Sequence, residues 1–443
     1  MIAAQPRSVH HVWFALSSLW GAWFVTIFLT SGQSFVQMVI WGGALLVGAT
    51  TAMAMHRRFS LRRLPPEVQL LVVFFFWSLM GILFVNDYGL FVRYVRQIVQ
   101  LILIVTLLSF VIAKSGAVKP IFASFIILGA GLPVLRVLGV ESGMAMENLQ
   151  SLDRVFQPNA LGFQSILGVL GVLALIPETR SWIWRSALLV AGFLALYGVI
   201  LSGSRGAFVA LFMVFALWPL FCFRSLFRSR WMAVTFFIIV GALGYYFYEF
   251  VLDGTNLGRR LQYLERFEDG STQTRWQLFL MGFKLAYESW GVGTGLGQFG
   301  FASGTGKYAH SEFAELLGTT GVVGVILYYL AYLSTWRRLQ NAARHTNERS
   351  VAYRINFAKM MLVVLVVSGL IFRPNFLSQD SMFLYALIVG ISLWVANIQK
   401  AGDKALAVYD HATSLLSGRK EQSGGTTQYP LVAQRTSRYE LRR

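Results

Sequence analysis

Gly291-Val-Gly-Thr-Gly-Leu-Gly297, with Lys307-Tyr308-Ala309-His310-Ser311-Glu312 behind it, closes the one long polar interval in a chain otherwise made of apolar runs. The interval opens at Val251, and apolar sequence resumes directly after His310. A connection of that length is uncommon unless it carries function. Two helix-like segments can be read inside it. Asn256 to Phe267 puts Leu257, Leu261 and Leu264 on one face, and Ser271 to Trp290 spaces Trp276, Phe279, Phe283, Tyr287 and Trp290 at three and four residues. Both look like amphipathic helices lying on a membrane surface or over a cavity. Gly295-x-Gly297-x-x-Gly300 follows a helical, Trp-rich segment and not a strand, so it reads as a flexible turn and not as a dinucleotide loop.

Working outward, the 443 residues are 56% hydrophobic and 13% charged, with a mean hydropathy of +0.58. A soluble domain carries about 25% charge. The expectation is an all-α polytopic membrane protein with span-length apolar runs at about 12–30, 34–55, 69–86, 91–112, 119–140, 160–177, 182–201, 206–222, 231–250, 312–334, 358–372 and 381–398. That divides the chain into 1–250 with helices one to nine, a large outer loop at 251–311, helices ten to twelve at 312–398, and a cytoplasmic, largely flexible tail at 399–443. The first apolar run lacks a small-residue cleavage site and is expected to remain as a span. Cys222 is the single cysteine, which excludes a disulfide framework.

A net charge of +18 would suggest nucleic acid if it lay on a soluble face. Here topology accounts for it. With the first residues inside and sides alternating, 26 of the 38 Lys and Arg collect on the inner segments and the tail. Short basic loops resist translocation, so both termini are expected in the cytoplasm and the 251–311 loop in the periplasm. Nucleic acid is excluded as a partner.

The remaining cations carry the chemical argument. Arg93 and Arg96 lie one turn apart near the start of the fourth span, Arg136 falls inside the fifth, Arg154 precedes the sixth, Arg205 sits in the tight Leu201-Ser-Gly-Ser-Arg-Gly-Ala207 connection, and Arg275 lies in the large loop. An arginine at bilayer depth costs from about 2.5 kcal/mol upward unless it is paired or faces a wet cavity. Each one alone can snorkel to the head groups. As a set with few acids nearby, they favour a pyrophosphate or lipid phosphate, whose oxygens match the guanidinium fork.

Of the six histidines, His310 alone falls on the outer side. It directly precedes a helix start that Ser311 can cap, where the helix dipole lowers an imidazole pKa. A neutral imidazole near pH 7 can accept a proton from a sugar hydroxyl, or simply be hydrogen-bonded at a helix start. The outer segments hold no Asp-x-Asp, no His-x-x-x-His and no cysteine pair, so no metal site and no cofactor are expected.

In their order and sidedness, four segments resemble the bacterial O-antigen ligase and polymerase superfamily. They are Arg154-Val-Phe-Gln-Pro-Asn159, Ser202-Gly-Ser-Arg205-Gly-Ala, Thr274-Arg275-Trp276 followed by Gly291-Val-Gly293-x-Gly295, and His310-Ser-Glu with Leu316-Leu-Gly318-x-x-Gly321-Val-Val-Gly324. The pattern covers roughly residues 150–325. Ser311 stands where the family often has Asn, and Trp290 where a proline is common.

The resemblance implies a twelve-span helical fold with a large periplasmic loop between spans nine and ten, similar to polyprenyl-donor glycosyltransferases. The implied reaction moves an O-antigen glycan from undecaprenyl pyrophosphate to a hydroxyl of the lipid A–core oligosaccharide. It would run in the inner membrane with inversion and without metal. In that implied site His310 activates the acceptor, Arg205 and Arg275 engage the donor pyrophosphate, and Arg136, Arg154, Arg93 and Arg96 add contacts to it.

Polymerases and protein O-oligosaccharyltransferases use the same donor, and a lipid-linked polysaccharide transporter would bind the same head group without bond making. One dominant outer loop favours the ligase; matching halves with broken helices, as transporters often show, are not found. The sidedness has a direct check. A reporter active only outside the cytoplasm should be active when fused after residue 280 and silent after residue 345, and the reverse pattern would discard the assignment.

Overall fold

In a bilayer a chain must satisfy its own backbone, and uninterrupted helices do so residue by residue. The computed structural model describes residues 7–29, 64–138, 158–223, 230–252, 258, 270–346, 348–371 and 374–422. Among the described residues the regular elements are all helical. In chain order the longer helices are α1 Arg7–Leu29, α2 Pro66–Met80, α3 Tyr88–Ser115, α4 Lys119–Val137, α5 Pro158–Leu175, α6 Trp182–Ser202, α7 Arg205–Cys222, α8 Arg230–Leu252, α9 Gly270–Glu288, α10 Glu312–Arg344, α11 Arg349–Ile371 and α12 Gln379–Gln422.

Among the described residues nine helical stretches are long and apolar enough to cross a membrane, and they fall on nine of the expected spans. Two further expected spans fall on α1 and α8, which are helical but not among the nine. The expected span at 34–55, most of the expected helix Asn256–Phe267, Arg154, Arg373 and the last 21 positions lie outside the described residues.

Among the described residues the bundle ends at Asn397, and Ile398 to Gln422 belong to a second unit. Where a flexible tail is expected from Gln399, α12 continues as helix to Gln422. Ala401, Lys404, Ala405, Leu406 and Ala407 are strong helix formers.

Polar contacts in the bundle sort to two ends. At one end Glu178 holds Arg354 at 2.7 Å and Lys119 at 3.2 Å, and the fully buried Glu67 holds Arg338 at 2.9 Å. At the other, Gln298 ties the large loop to the α2–α3 connection. Its Oε1 accepts from Asn86 and Asp87 N–H at 3.0 Å each, and its Nε2 donates to the Asp87 carbonyl at 3.0 Å. Gln97 of α3 donates to the Leu377 carbonyl in the α11–α12 connection at 3.4 Å.

α10 is broken. Gly321 has φ 69° and ψ −170°, a conformation essentially reserved for glycine, and it separates a half-helix, Glu312–Thr320, from the spanning remainder. The Tyr328 hydroxyl donates to Glu312 Oε1 at 2.9 Å across 16 residues. On a straight helix those residues would stand about 24 Å apart, so the half-helix folds back along its own continuation.

The break strips Gly318, Thr319 and Thr320 of their helical donors, and the glycine-rich run supplies most of the replacements. Thr294 N–H donates to the Gly318 carbonyl at 2.9 Å, Gly295 N–H to Thr319 at 2.9 Å, and Trp77 Nε1 to Thr320 at 2.8 Å. Val322 N–H returns a bond to the Gly291 carbonyl at 3.0 Å. Gly291, Gly293, Gly295 and Gly297 all have positive φ, and a Cβ on Gly293 would stand 2.5 Å from the Thr319 carbonyl oxygen. The run expected to be a flexible turn is thus an ordered brace.

A Cβ at Gly321 would collide with the Gly291 carbonyl. Gly321→Ala should therefore cost about 3 kcal/mol or more, from strain and overlap together. Gly131→Ala, where nothing stands within 4 Å, should be neutral or slightly stabilising. Thermal unfolding of both variants in detergent checks this, and equal midpoints would contradict it.

Candidate functional site

α9 and the half-helix of α10 form the scaffold of the site. Leu278 and Leu285 pack with Phe299, Ala309 and Ala314 in a small core separate from the main one. The opposite face of α9 leaves Trp276, Leu280, Phe283 and Tyr287 exposed in a row, and Trp290 is exposed just past its end. Phe279, expected in that row, stacks on Trp276 at 5.6 Å and reaches toward Phe313 instead.

His310 closes the loop. Its backbone has φ 55°, a left-handed conformation uncommon for any residue other than glycine. Ser311 caps the half-helix as the sequence predicts, its Oγ accepting from Ala314 N–H at 3.5 Å. The His310 ring lies 4.0 Å from that of Tyr308, and its Nδ1 is buried without a hydrogen-bond partner. Burial, and after it the positive charges of Arg275 and Lys307, lower the imidazole pKa to about 4. Where the helix dipole is expected to keep the imidazole neutral, desolvation leads and neighbouring cations follow. Arg275 and His310, 35 positions apart in the chain, are therefore electrostatic neighbours.

A second grouping forms around the Ser202–Arg205 turn. Gly203 takes φ 60°, and Ser204 caps α7 by accepting from Ala207 N–H at 3.3 Å while donating to Asn159 Oδ1 at 2.8 Å. Arg136 Nη1 donates to the Leu201 carbonyl at 3.4 Å. Arg136 and Arg205 thus share one turn, and Arg205 is the first residue of α7, where the helix N-terminus adds its own positive potential. Arg93 and Arg96 are both exposed near the start of α3. Arg154 lies outside the described residues.

Two carboxylates in the first turn of α10 sit inside this scaffold. Glu312 Oε1 accepts from the Tyr328 hydroxyl at 2.9 Å and from Phe376 N–H at 3.0 Å, so it is committed to holding the α11–α12 connection. Glu315 is wholly buried; its Oε2 accepts from Ala309 N–H at 2.7 Å, and Tyr94 of α3 lies beside it. The sequence reading passed over Glu315 and Tyr94. An acid five residues after His310 in an apolar helix was the available signal.

Residues 190–329 match the family model described as O-antigen ligase. That stretch contains Arg205, Arg275 and His310, whereas Arg93, Arg96, Arg136 and Arg154 precede it. No curated protein matches the chain at a significant level.

The lowered pKa has a definite sign. An unfolded histidine protonates near pH 6.5, and the folded one near 4. The folded state is therefore fully favoured above about 6.5 and loses this contribution as pH falls from there toward 4. In NMR of ring-labelled protein, His310 should remain neutral at pH 5.5. Arg275→Gln should raise its pKa only part of the way back, because burial persists. A wild-type midpoint near 6.5 would contradict the desolvated geometry.

Proposed function

From its membership of the O-antigen ligase superfamily, we propose that the chain is a membrane glycosyltransferase that moves a glycan from undecaprenyl pyrophosphate to a hydroxyl of lipid A–core oligosaccharide. The observation that carries this reading is the pairing of His310 with Arg275: a neutral imidazole, with its buried Nδ1 lacking a hydrogen-bond partner, beside a guanidinium at the start of the braced half-helix.

In this reading Arg275 and Arg205 take the diphosphate, Arg136 supports the Arg205 turn, and Arg93, Arg96 and Arg154 add positive potential along the donor's approach. The acceptor oxygen attacks the anomeric carbon from the face opposite the diphosphate. The glycosidic C–O bond to phosphate breaks, the electron pair leaves with the diphosphate, and the configuration inverts. The hydroxyl proton passes to His310 and from there to the departing diphosphate or to water. An imidazole this weakly basic orients the hydroxyl first and takes its proton late, when the broken bond has made that proton acidic. Bound diphosphate also offsets the charges of Arg275 and Lys307, which raises the basicity of His310 when substrate is present. Fixed cations take the place of a divalent metal in stabilising the leaving group. The active face is periplasmic, both termini are cytoplasmic, and the membrane is the inner one. The single dominant outer loop favours lipid A–core over a second repeat unit or a protein as acceptor.

The test is purified protein with an undecaprenyl-pyrophosphate glycan and lipid A–core in EDTA. The joined product should form, and an absolute need for added magnesium or manganese would sink the electrostatic scheme. Arg205→Lys should be severely impaired although it keeps the charge, because the bidentate fork is lost. His310→Ala should lower turnover by about 10² to 10⁴ with donor affinity nearly intact. Near-normal single turnover in folded His310→Ala would remove the proton acceptor from the scheme.

A further inference from the structure

The left-handed backbone of His310 needs an external cause, because an L-residue of this kind relaxes to negative φ when nothing prevents it. The half-helix grips the residue on both sides. On the following side, Ser311 caps Ala314, and Glu315 N–H donates to the Ser311 carbonyl at 3.0 Å. On the preceding side Ala309 N–H donates to Glu315 Oε2 at 2.7 Å. Ala309 is 1% exposed and Glu315 0%, so water cannot replace the acceptor if the carboxylate is removed. The same helical turn that begins after His310 thus reaches back and fixes the peptide before it.

We propose that Glu315 is a positioning residue for His310: by holding the Ala309 amide, it keeps His310 in its left-handed conformation beside Arg275. The effect on turnover rests on the transferase reading above; the clamp itself does not. Reach matters to this role and charge does not. Glutamine preserves an acceptor oxygen at the same distance along the side chain, aspartate keeps the charge one methylene too short, and leucine fills the volume without an acceptor. A residue serving instead as proton donor or acceptor would show the reverse ranking of glutamine and aspartate.

The experiment measures hydrogen exchange at the Ala309 amide together with kcat and donor KM in Glu315→Gln, Glu315→Asp and Glu315→Leu. Glu315→Gln should keep the amide protected and kcat within about threefold of wild type. Glu315→Asp and Glu315→Leu should speed Ala309 exchange at least tenfold and lower kcat by about 10², with KM little changed, since a misplacement on the order of 1 Å costs that much. Glu315→Asp carries the test if the leucine variant does not fold.

Inactive Glu315→Gln with a protected amide would overturn the proposal in favour of a charge-dependent role. Normal kcat in folded Glu315→Asp, or an Ala309 amide that remains protected in it, would overturn it as well. If wild type forms no joined product, the transferase reading fails separately, and the Ala309 exchange rates still decide whether the clamp exists.

Discussion

The backbone break at Gly321 is the constraint on which the rest of the site depends. A helix interrupted inside a membrane bundle exposes carbonyls that neither lipid nor apolar side chains can satisfy. Here the replacement donors come from two places distant in sequence, the Thr294–Gly295 backbone and the Trp77 indole. Because two of the three donors are backbone amides, the loop that carries them must approach to contact distance, and that requires the run of positive-φ glycines. The consequence reaches well beyond the loop. Only with the half-helix folded back does Glu312 meet Tyr328 and the Phe376 amide, which binds the α11–α12 connection to the same turn that presents His310.

The electrostatics follow from that placement. Held half-buried near two cations, the imidazole gives up basicity and remains neutral in the physiological range. The arginines divide between two supports, Arg275 on α9 and Arg136 with Arg205 around the α6–α7 turn. For the diphosphate donor proposed above, with two phosphoryl groups and a glycan to place, separate rigid supports would suit better than one flexible cluster. At the far end of the bundle the acids are used differently: Glu67 and Glu178 form ion pairs with Arg338, Arg354 and Lys119, which joins helices.

Membrane character and helical class were legible in the sequence because they depend on composition summed over runs of about 20 residues, where local errors average out. A candidate site could be read there too, since a histidine at the junction of a polar interval and an apolar run stands out without any knowledge of packing. The order of Arg205, Arg275 and His310 along the chain also carried a family resemblance, which the match over residues 190–329 supports. What only the tertiary structure decided concerns groups whose meaning lies in a partner far along the chain. The glycine-rich run looks like slack until the carbonyls of Gly318 and Thr319 are seen opposite it. Glu315 looks like an ordinary first-turn acid until the helix start wraps it onto Ala309. The cause of the neutral imidazole was likewise out of reach, because desolvation depends on what surrounds His310 in space, whereas the helix dipole can be read from its neighbours in sequence.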